Sequence, residues 1–195
     1  MTEDPTPLDW TELLADQCGW LWSVQVPPRL TGLADEEYFW EPVPGCWSVR
    51  PRGRGVAEEV GAGAMVLDVA FPAPDPAPVT TIAWRLAHLL VGVFGERNAR
   101  YFGGPDVSYH STDYPPTAAD PLHRLDREVD RWLAGVRGLT GADLVQHCRE
   151  PGFESDPMAG LVQHINREAI HHCAEIALLR DLFAHRPRPA PGATS

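Results

Sequence analysis

The chain has 195 residues, of which 44% are hydrophobic, and a formal net charge of -11 from 16 basic and 27 acidic residues. This length is sufficient for one domain with its own hydrophobic core. The excess of negative charge argues against a nucleic-acid partner, because binding to phosphates needs a basic face.

The N-terminal sequence MTEDPTPLDW is acidic and lacks the apolar run of a signal peptide. The longest apolar run, from Val79 to Phe94, contains Arg85 and His88 and is shorter than a membrane span. We therefore expect a cytoplasmic protein with no membrane partner. The cysteines show no metal-binding or disulfide spacing, and we expect reduced thiols at Cys18, Cys46, Cys148 and Cys173.

The first two predicted helices are defined by apolar residues at three- and four-residue steps. The first is predicted from about Leu8 to Val26, and it should end at Pro27-Pro28 because proline has no N–H to donate. The second is predicted from about Thr80 to Phe102. Gly103-Gly104-Pro105 follows it, which is the usual order of residues after a helix.

The third and fourth predicted helices each begin next to a proline. Asp120 is a good N-cap for the third helix, with Pro121 in the first helical position, and Gly138 marks its end. The fourth helix is predicted from about Pro157 to Ala184, with Asp156 as its candidate cap.

The connection between the first two helices, residues 29–79, is long and rich in Pro and Gly. Met65–Phe71 is predicted to form a short strand within it. The chain as a whole is predicted to be all-α, a four-helix bundle over residues 1–184. The Pro-rich tail, residues 185–195, is predicted to be disordered.

The fourth predicted helix carries His164, Glu168 and His172 at four-residue intervals. Such residues project from one face of a helix, and Glu168 and His172 share the stripe of apolar Ile165 and Ile176. Burying an unpaired carboxylate is prohibitively costly, but a divalent cation removes the cost because carboxylate and imidazole are good ligands. The pattern therefore indicates a metal site, with an ordinary polar contact between neighbouring turns as the alternative.

The second predicted helix offers a third ligand, His88, in the apolar sequence WRLAHLLVG. Gly92 and Gly95 are expected to leave space beside its imidazole. Three protein ligands with an open fourth position are typical of catalytic zinc. The alternative for His88 is a hydrogen-bonded core histidine.

Three segments resemble DinB-like proteins: HINREAIHHCAEIALLRDLF their last helix, WRLAHLLVGVFGERNARYF their second helix, and WEPVPGCWSVRPRG their first loop. The resemblance covers most of residues 8–184 and implies the DinB-like four-helix bundle. Many members bind metal through three histidines, two of them in an HxxxH pair on the last helix. Here the pair is Glu168 and His172, which resembles the mycothiol-dependent maleylpyruvate isomerase type. The resemblance thus implies His88, Glu168 and His172 as the metal ligands.

The resemblance also implies thiol-dependent transferase or isomerase chemistry. A divalent metal, with Zn²⁺ as first choice and Ni²⁺, Mn²⁺ or Fe²⁺ as alternatives, would hold a small-molecule thiol such as mycothiol as the thiolate. The thiolate would then add to an electrophilic substrate. His164 and His171 are candidate proton shuttles. Arg85 and Arg167 are candidates for binding an anionic group, with a solvated surface position as their alternative, and Trp84 is a further candidate binding residue.

Two rival functions use the same three ligands. In a metal-dependent hydrolase, a metal-bound water would be the nucleophile. In a non-catalytic protein the metal would only brace the fold, and a fourth protein ligand such as His164 would favour that function. The sequence is compatible with a homodimer.

Overall fold

The first long helical segment continues past the prolines that were predicted to end it. The structure, a computed structural model, describes residues 8–187. Asp9 caps the segment by accepting hydrogen bonds from the backbone of Thr11 and Glu12. The prediction that Pro27-Pro28 ends the helix was wrong, because a widened π turn precedes them and relieves the clash of a proline ring with the preceding turn. The segment comprises α1 (Trp10–Trp20), the π-helical Leu21–Gln25 and α2 (Val26–Leu30).

The fold is mainly helical as predicted, but the long connection contains a three-stranded sheet where only one short strand was expected. The helix α3 (Asp35–Tyr38) is followed by β1 (Val49–Pro51), β2 (Glu58–Val60) and β3 (Met65–Val69). The strands are antiparallel in the order β1-β3-β2, with Val49 and Val60 both opposite Leu67. The strand predicted at Met65–Phe71 is therefore the central one, and it ends at Val69.

Buried Asp68 on β3 holds the sheet together. One carboxylate oxygen accepts from the backbone N–H of Ser48 at 2.9 Å and from Arg50 Nε at 3.0 Å. The other oxygen accepts from the backbone N–H of Val56 at 3.0 Å. These bonds satisfy a carboxylate that would otherwise be costly to bury, and they fix the loops on either side of β3.

The second long helical segment contains a π-helical part in its middle. It comprises α4 (Ile82–His88), the π segment (Leu89–Gly95) and α5 (Glu96–Tyr101), close to the predicted bounds. The Thr81 side chain caps it by accepting from the backbone N–H of Trp84 at 3.3 Å. The segment ends as predicted, with Gly103 at a φ of 66°.

The remaining helices differ from the predictions at their N-termini. Asp120 lies within the first turn of its helix, and Ala118 is the N-cap. The backbone N–H of Ala118 donates to the carboxylate of Asp35 at 2.8 Å, which ties the start of the helix to a distant residue. Asp156 is not a cap either, since Pro157 occupies that position. The helices are α6 (Ala119–Arg137), α7 (Gly141–Leu144) and α8 (Met158–Ala184).

The four long helical segments pack on one another, and this packing positions the site. Both α1 and the π segment of the second helix contact α6 and α8. Phe94 and Trp132 meet edge to face in the core, where Leu86, Ile165 and Ile176 are also buried.

The ends of the predicted domain lie partly beyond the described residues. The last helix ends at Ala184 as predicted. Residues 188–195 of the predicted disordered tail, and residues 1–7 of the predicted domain, lie outside the described residues. Within residues 8–187, no helix combines the length and the apolar character that crossing a membrane requires.

Candidate metal site

The structure brings the three predicted ligands together from two helices. His88 is the last residue of α4, while Glu168 and His172 lie one turn apart on α8, and their ligand atoms all lie within 4.8 Å of one another. Glu168 Oε2 lies 3.4 Å from His172 Nε2, and the two imidazole centroids are 4.7 Å apart at an interplanar angle of 90°. Two imidazoles and one carboxylate converging on one point are a donor set that fits a divalent cation such as Zn²⁺.

Both imidazoles are held in the neutral form that binds metals. Burial lowers the pKa of His88 to about 3, and the charges of neighbouring His172 and Arg85 act in the same direction. The pKa of His172 is also lowered, again by burial first, although its hydrogen bond to Glu175 opposes the shift. At neutral pH each ring therefore offers a nitrogen lone pair without first having to lose a proton.

The second nitrogen of His172 faces Glu175, a residue that the sequence reasoning missed. Nδ1 of His172 lies 2.8 Å from Glu175 Oε2, and Arg85 Nη1 lies 2.7 Å from the same oxygen. A metal-binding histidine usually donates its other N–H to a carboxylate, which orients the ring. The spacing of three residues between His172 and Glu175 on one helix was the available signal.

The second nitrogen of His88 faces Tyr109, which the sequence reasoning also missed. The two atoms, Nδ1 and the phenol oxygen, are 2.5 Å apart, and burial raises the pKa of Tyr109 so that the phenol stays neutral. A Cβ at Gly92 would lie 2.0 Å from this oxygen. The space predicted beside the imidazole is thus present at Gly92, but Tyr109 fills it. Gly95 faces Val107 instead, so its predicted place beside His88 was wrong.

Trp84 forms one wall of the site. Its ring stacks on His88 with centroids 5.3 Å apart and an interplanar angle of 21°. Its indole N–H donates to the backbone oxygen of Asp68 at 2.8 Å, which ties the helix to β3. The sheet therefore restrains the residue against which His88 rests. The substrate-binding role of Trp84 stays a prediction.

The other predicted residues surround the three ligands without joining them. His164 Nδ1 lies 3.9 Å from Glu168 Oε1, and Arg167 lies 3.4 Å from the same histidine. His171 is exposed, with its Nε2 3.3 Å from Glu175 Oε1. Among residues 8–187, His164 is not part of the three-ligand group. The surface alternative holds for Arg167, which is exposed, but not for Arg85, whose side chain is 18% exposed and paired with Glu175.

A cavity of about 540 Å³ is lined by none of the three ligands, but it is lined by His164, whose Nδ1 lies 3.9 Å from Glu168. It lies between α5, the loop before α8 and the first turns of α8, and its lining includes His164 and Arg167. Arg97 and Arg100 also line it, but both are paired with carboxylates. Buried Glu150 lies 2.9 Å from Arg97 and 2.7 Å from Arg100, and Glu96 lies 3.3 Å from Arg97. Arg167 has no carboxylate within 4 Å in the described part of the chain. A separate apolar cavity of about 410 Å³ between α2 and α8 shares no residue with the site.

A second group of possible ligands, His171, His172 and Glu175, is a poorer metal site. Its ligand atoms also lie within 4.8 Å of one another. A metal there would take the carboxylate that already faces the guanidinium of Arg85, and the two positive charges would repel each other. The group at His88, Glu168 and His172 has no such cation against its carboxylate, so the chemistry of the site favours it.

A family model described as the DinB superfamily matches residues 25–176, which is more than three quarters of the chain. The matched range contains the three converging side chains and their partners Glu175 and Tyr109. No match was found among curated proteins or among solved structures.

Proposed function

The chain belongs to the DinB superfamily, and from this membership and the site geometry we propose that it is a metal-dependent thiol transferase or isomerase. The superfamily in general binds divalent metals, and the chain has a matching set of ligands. The observation that supports the proposal is the number of protein ligands at the site. His88, Glu168 and His172 converge, and within residues 8–187 no fourth protein ligand joins them, so one coordination position remains for a thiol.

A bound divalent cation, Zn²⁺ in our proposal, would stabilise a thiolate such as that of mycothiol and so supply the nucleophile. The residues of the chain prepare this step. His88 and His172 are neutral and oriented by Tyr109 and Glu175. We assign the uptake of the thiol proton to His164, which is half exposed and lines the cavity.

We propose that the electrophilic substrate binds in the cavity lined by His164, one helical turn before Glu168. Arg167 lines it and has no carboxylate partner among the described residues, so it is available for an anionic group. Arg85 is not available in this way because Glu175 binds it. We extend the proposal to a cytoplasmic location, where a low-molecular-weight thiol is reduced.

A metal-dependent hydrolase is the second candidate, because the same open position suits a water molecule. The non-catalytic alternative is less well supported, since His164 stands apart from the three ligands. Thiol binding to the metal separates the two enzymatic candidates.

The first part of the test measures metal content. We expect about one divalent metal per chain in the wild type and large losses in His88→Ala, Glu168→Ala and His172→Ala. His171→Ala is the matched control, because this exposed histidine lies on the same helix, and it should keep its metal. Full metal occupancy in all three ligand variants would rule out the site.

The second part tests the thiol. Mycothiol, bacillithiol and glutathione are added to the cobalt-substituted protein, and the cognate thiol should produce a sulfur-to-metal charge-transfer band. Calorimetry in two buffers of different ionisation enthalpy should show a released proton. If none of the three thiols binds the metal-loaded protein, the thiol function is wrong and the hydrolase becomes the leading candidate.

A further inference from the structure

The contact between Arg85 and Glu175 joins the two helices of the metal site behind His172. Arg85 lies on α4 and Glu175 on α8, and their nearest atoms are 2.7 Å apart. Their side chains are only 18% and 29% exposed, so water screens this pair less than a surface pair. The shared carboxylate oxygen is also the one that lies 2.8 Å from His172 Nδ1.

The contact between Glu175 and His172 determines which nitrogen of His172 carries the hydrogen. A neutral imidazole has one N–H and one lone pair, and a metal needs the lone pair. A carboxylate accepts hydrogen bonds and does not donate them, so the short distance from Glu175 places the hydrogen on Nδ1. The lone pair is then on Nε2, the atom that faces Glu168 at 3.4 Å.

Arg85 limits the position that the carboxylate of Glu175 can take. Its Nη1 atom lies 3.1 Å from His172 Nδ1 as well as 2.7 Å from Glu175 Oε2. The contact with the carboxylate is the shorter one and joins opposite charges, so it is the stronger. The guanidinium therefore holds the carboxylate against the ring, and its positive charge excludes a cation from the second group of ligands.

We propose that Glu175 and Arg85 are a positioning pair that fixes His172 as the Nδ1–H tautomer and directs the metal to His88, Glu168 and His172. The proposal rests on the metal site of the proposed function, but it does not depend on thiol chemistry. The proposal predicts that metal binding does not need His171, although His171 belongs to the second group of possible ligands.

The tautomer can be measured without metal. Two-bond ¹H–¹⁵N correlation spectra of the metal-free protein show which imidazole nitrogen of His172 carries the hydrogen. We expect Nδ1–H in the wild type and a larger fraction of Nε2–H in Glu175→Gln, whose amide can also donate to the ring. A wild-type His172 with its hydrogen on Nε2 would overturn the proposal.

Metal affinity provides the second measurement. Competition with a chelator should show that Glu175→Gln and Arg85→Met bind Zn²⁺ about 10- to 100-fold more weakly than the wild type, as is usual when the partner of a ligand is lost. Arg85→Lys should restore part of the affinity, and His171→Ala should equal the wild type. Thermal melting in chelator identifies any variant that fails to fold. If Arg85→Met does not fold, the tautomer of His172 in Glu175→Gln decides whether the positioning pair exists.

The outcomes separate this proposal from the proposed function. Wild-type affinity in Glu175→Gln contradicts the positioning pair. An equal loss in His171→Ala and Glu175→Gln does so too, because it would place the metal in the second group of possible ligands. If the His172 tautomer and the Zn²⁺ affinities are as expected but no thiol binds, only the thiol function is contradicted.

Discussion

Gly92→Ala tests whether the packing around His88 supports metal binding. A Cβ at this position would lie 2.0 Å from the phenol oxygen of Tyr109, 2.9 Å from its Cζ and 3.2 Å from His88 Nδ1. Ordinary contact begins at about 3.4 Å, so Tyr109 has to move by more than an ångström. That movement breaks its hydrogen bond with His88, which is the contact that orients the imidazole.

Two opposing effects set the size of the change in stability. Ala is favoured over Gly in a helix interior by about 1 kcal/mol, while overpacking a tight site costs about 1–3 kcal/mol. The metal-free variant should therefore lose up to about 2 kcal/mol, and a chain of this size then melts up to about 8 °C lower. Metal affinity should fall about 10- to 100-fold, because a partner of a ligand is displaced.

The assay compares Gly92→Ala with Gly160→Ala, a matched change on α8. A Cβ at Gly160 meets only Pro157, at an ordinary 3.7 Å, so this control should melt slightly higher and bind metal as the wild type does. Melting is followed in chelator by circular dichroism, and affinity by competition for Zn²⁺. If Gly92→Ala binds Zn²⁺ as tightly as the wild type and melts no lower, the Tyr109 contact has no part in holding His88.

Four further predictions follow from the charges, the burial and the metal site. Removing the metal should lower the melting temperature and zinc should restore it, since a free ligand at 100 times its Kd stabilises the folded state by about 2.7 kcal/mol; an unchanged melting curve after measured metal loss would contradict this. The pKa of His88 falls from 6.5 to about 3 on folding, so the unfolded chain binds the extra proton between these values. The metal-free protein should lose stability as the pH falls from 6.5, by at most about 1.4 kcal/mol per pH unit from this group, and denaturation of His88→Gln should show a smaller slope. Burial raises the pKa of Cys18 to about 12, so mass spectrometry should find it alkylated at pH 8 roughly 100-fold or more slowly than a free thiol; rapid labelling of the folded protein would refute its burial. The net charge of -11 predicts no tight DNA binding in low-salt mobility-shift assays, and a complex with a steep salt dependence would show otherwise.

The convergence of ligands could be anticipated from the sequence because it depends on helix periodicity. Glu168 and His172 are one turn apart on a helix whose apolar stripe is easily recognised, and the apolar surroundings of His88 indicated that it points inward. Glu175, the partner of His172, shares this helical spacing, but the partner of His88 could not be anticipated in the same way. Tyr109 reaches His88 from a loop, and no local pattern specifies where a loop residue will lie.

The errors in the fold have equally local causes. The strands β1 and β2 have three residues each, which is too short for an alternating pattern to show in the sequence. Pro27-Pro28 was expected to end the first helix because the prediction assumed regular α-helical turns, whereas the preceding turn is π-helical. Ala118 takes the cap position expected for Asp120, and its backbone N–H is bound by Asp35, from a distant part of the chain.

The π segment at Leu89–Gly95 has a consequence for how this helix tolerates changes in length. A π turn holds one residue more than an α turn, and each residue in a helix advances the side-chain direction by about 100°. His88, before the segment, faces the ligands of α8, while Asn98, after it, donates to the backbone oxygen of Glu128 on α6 at 2.8 Å. Deleting one residue within the segment would convert it to regular helix and leave its two ends facing as before, because the π turn already holds the extra residue. Inserting a residue into the regular helix on either side would instead rotate the two ends by about 100°, so that either His88 would turn away from the metal ligands or Asn98 would lose Glu128.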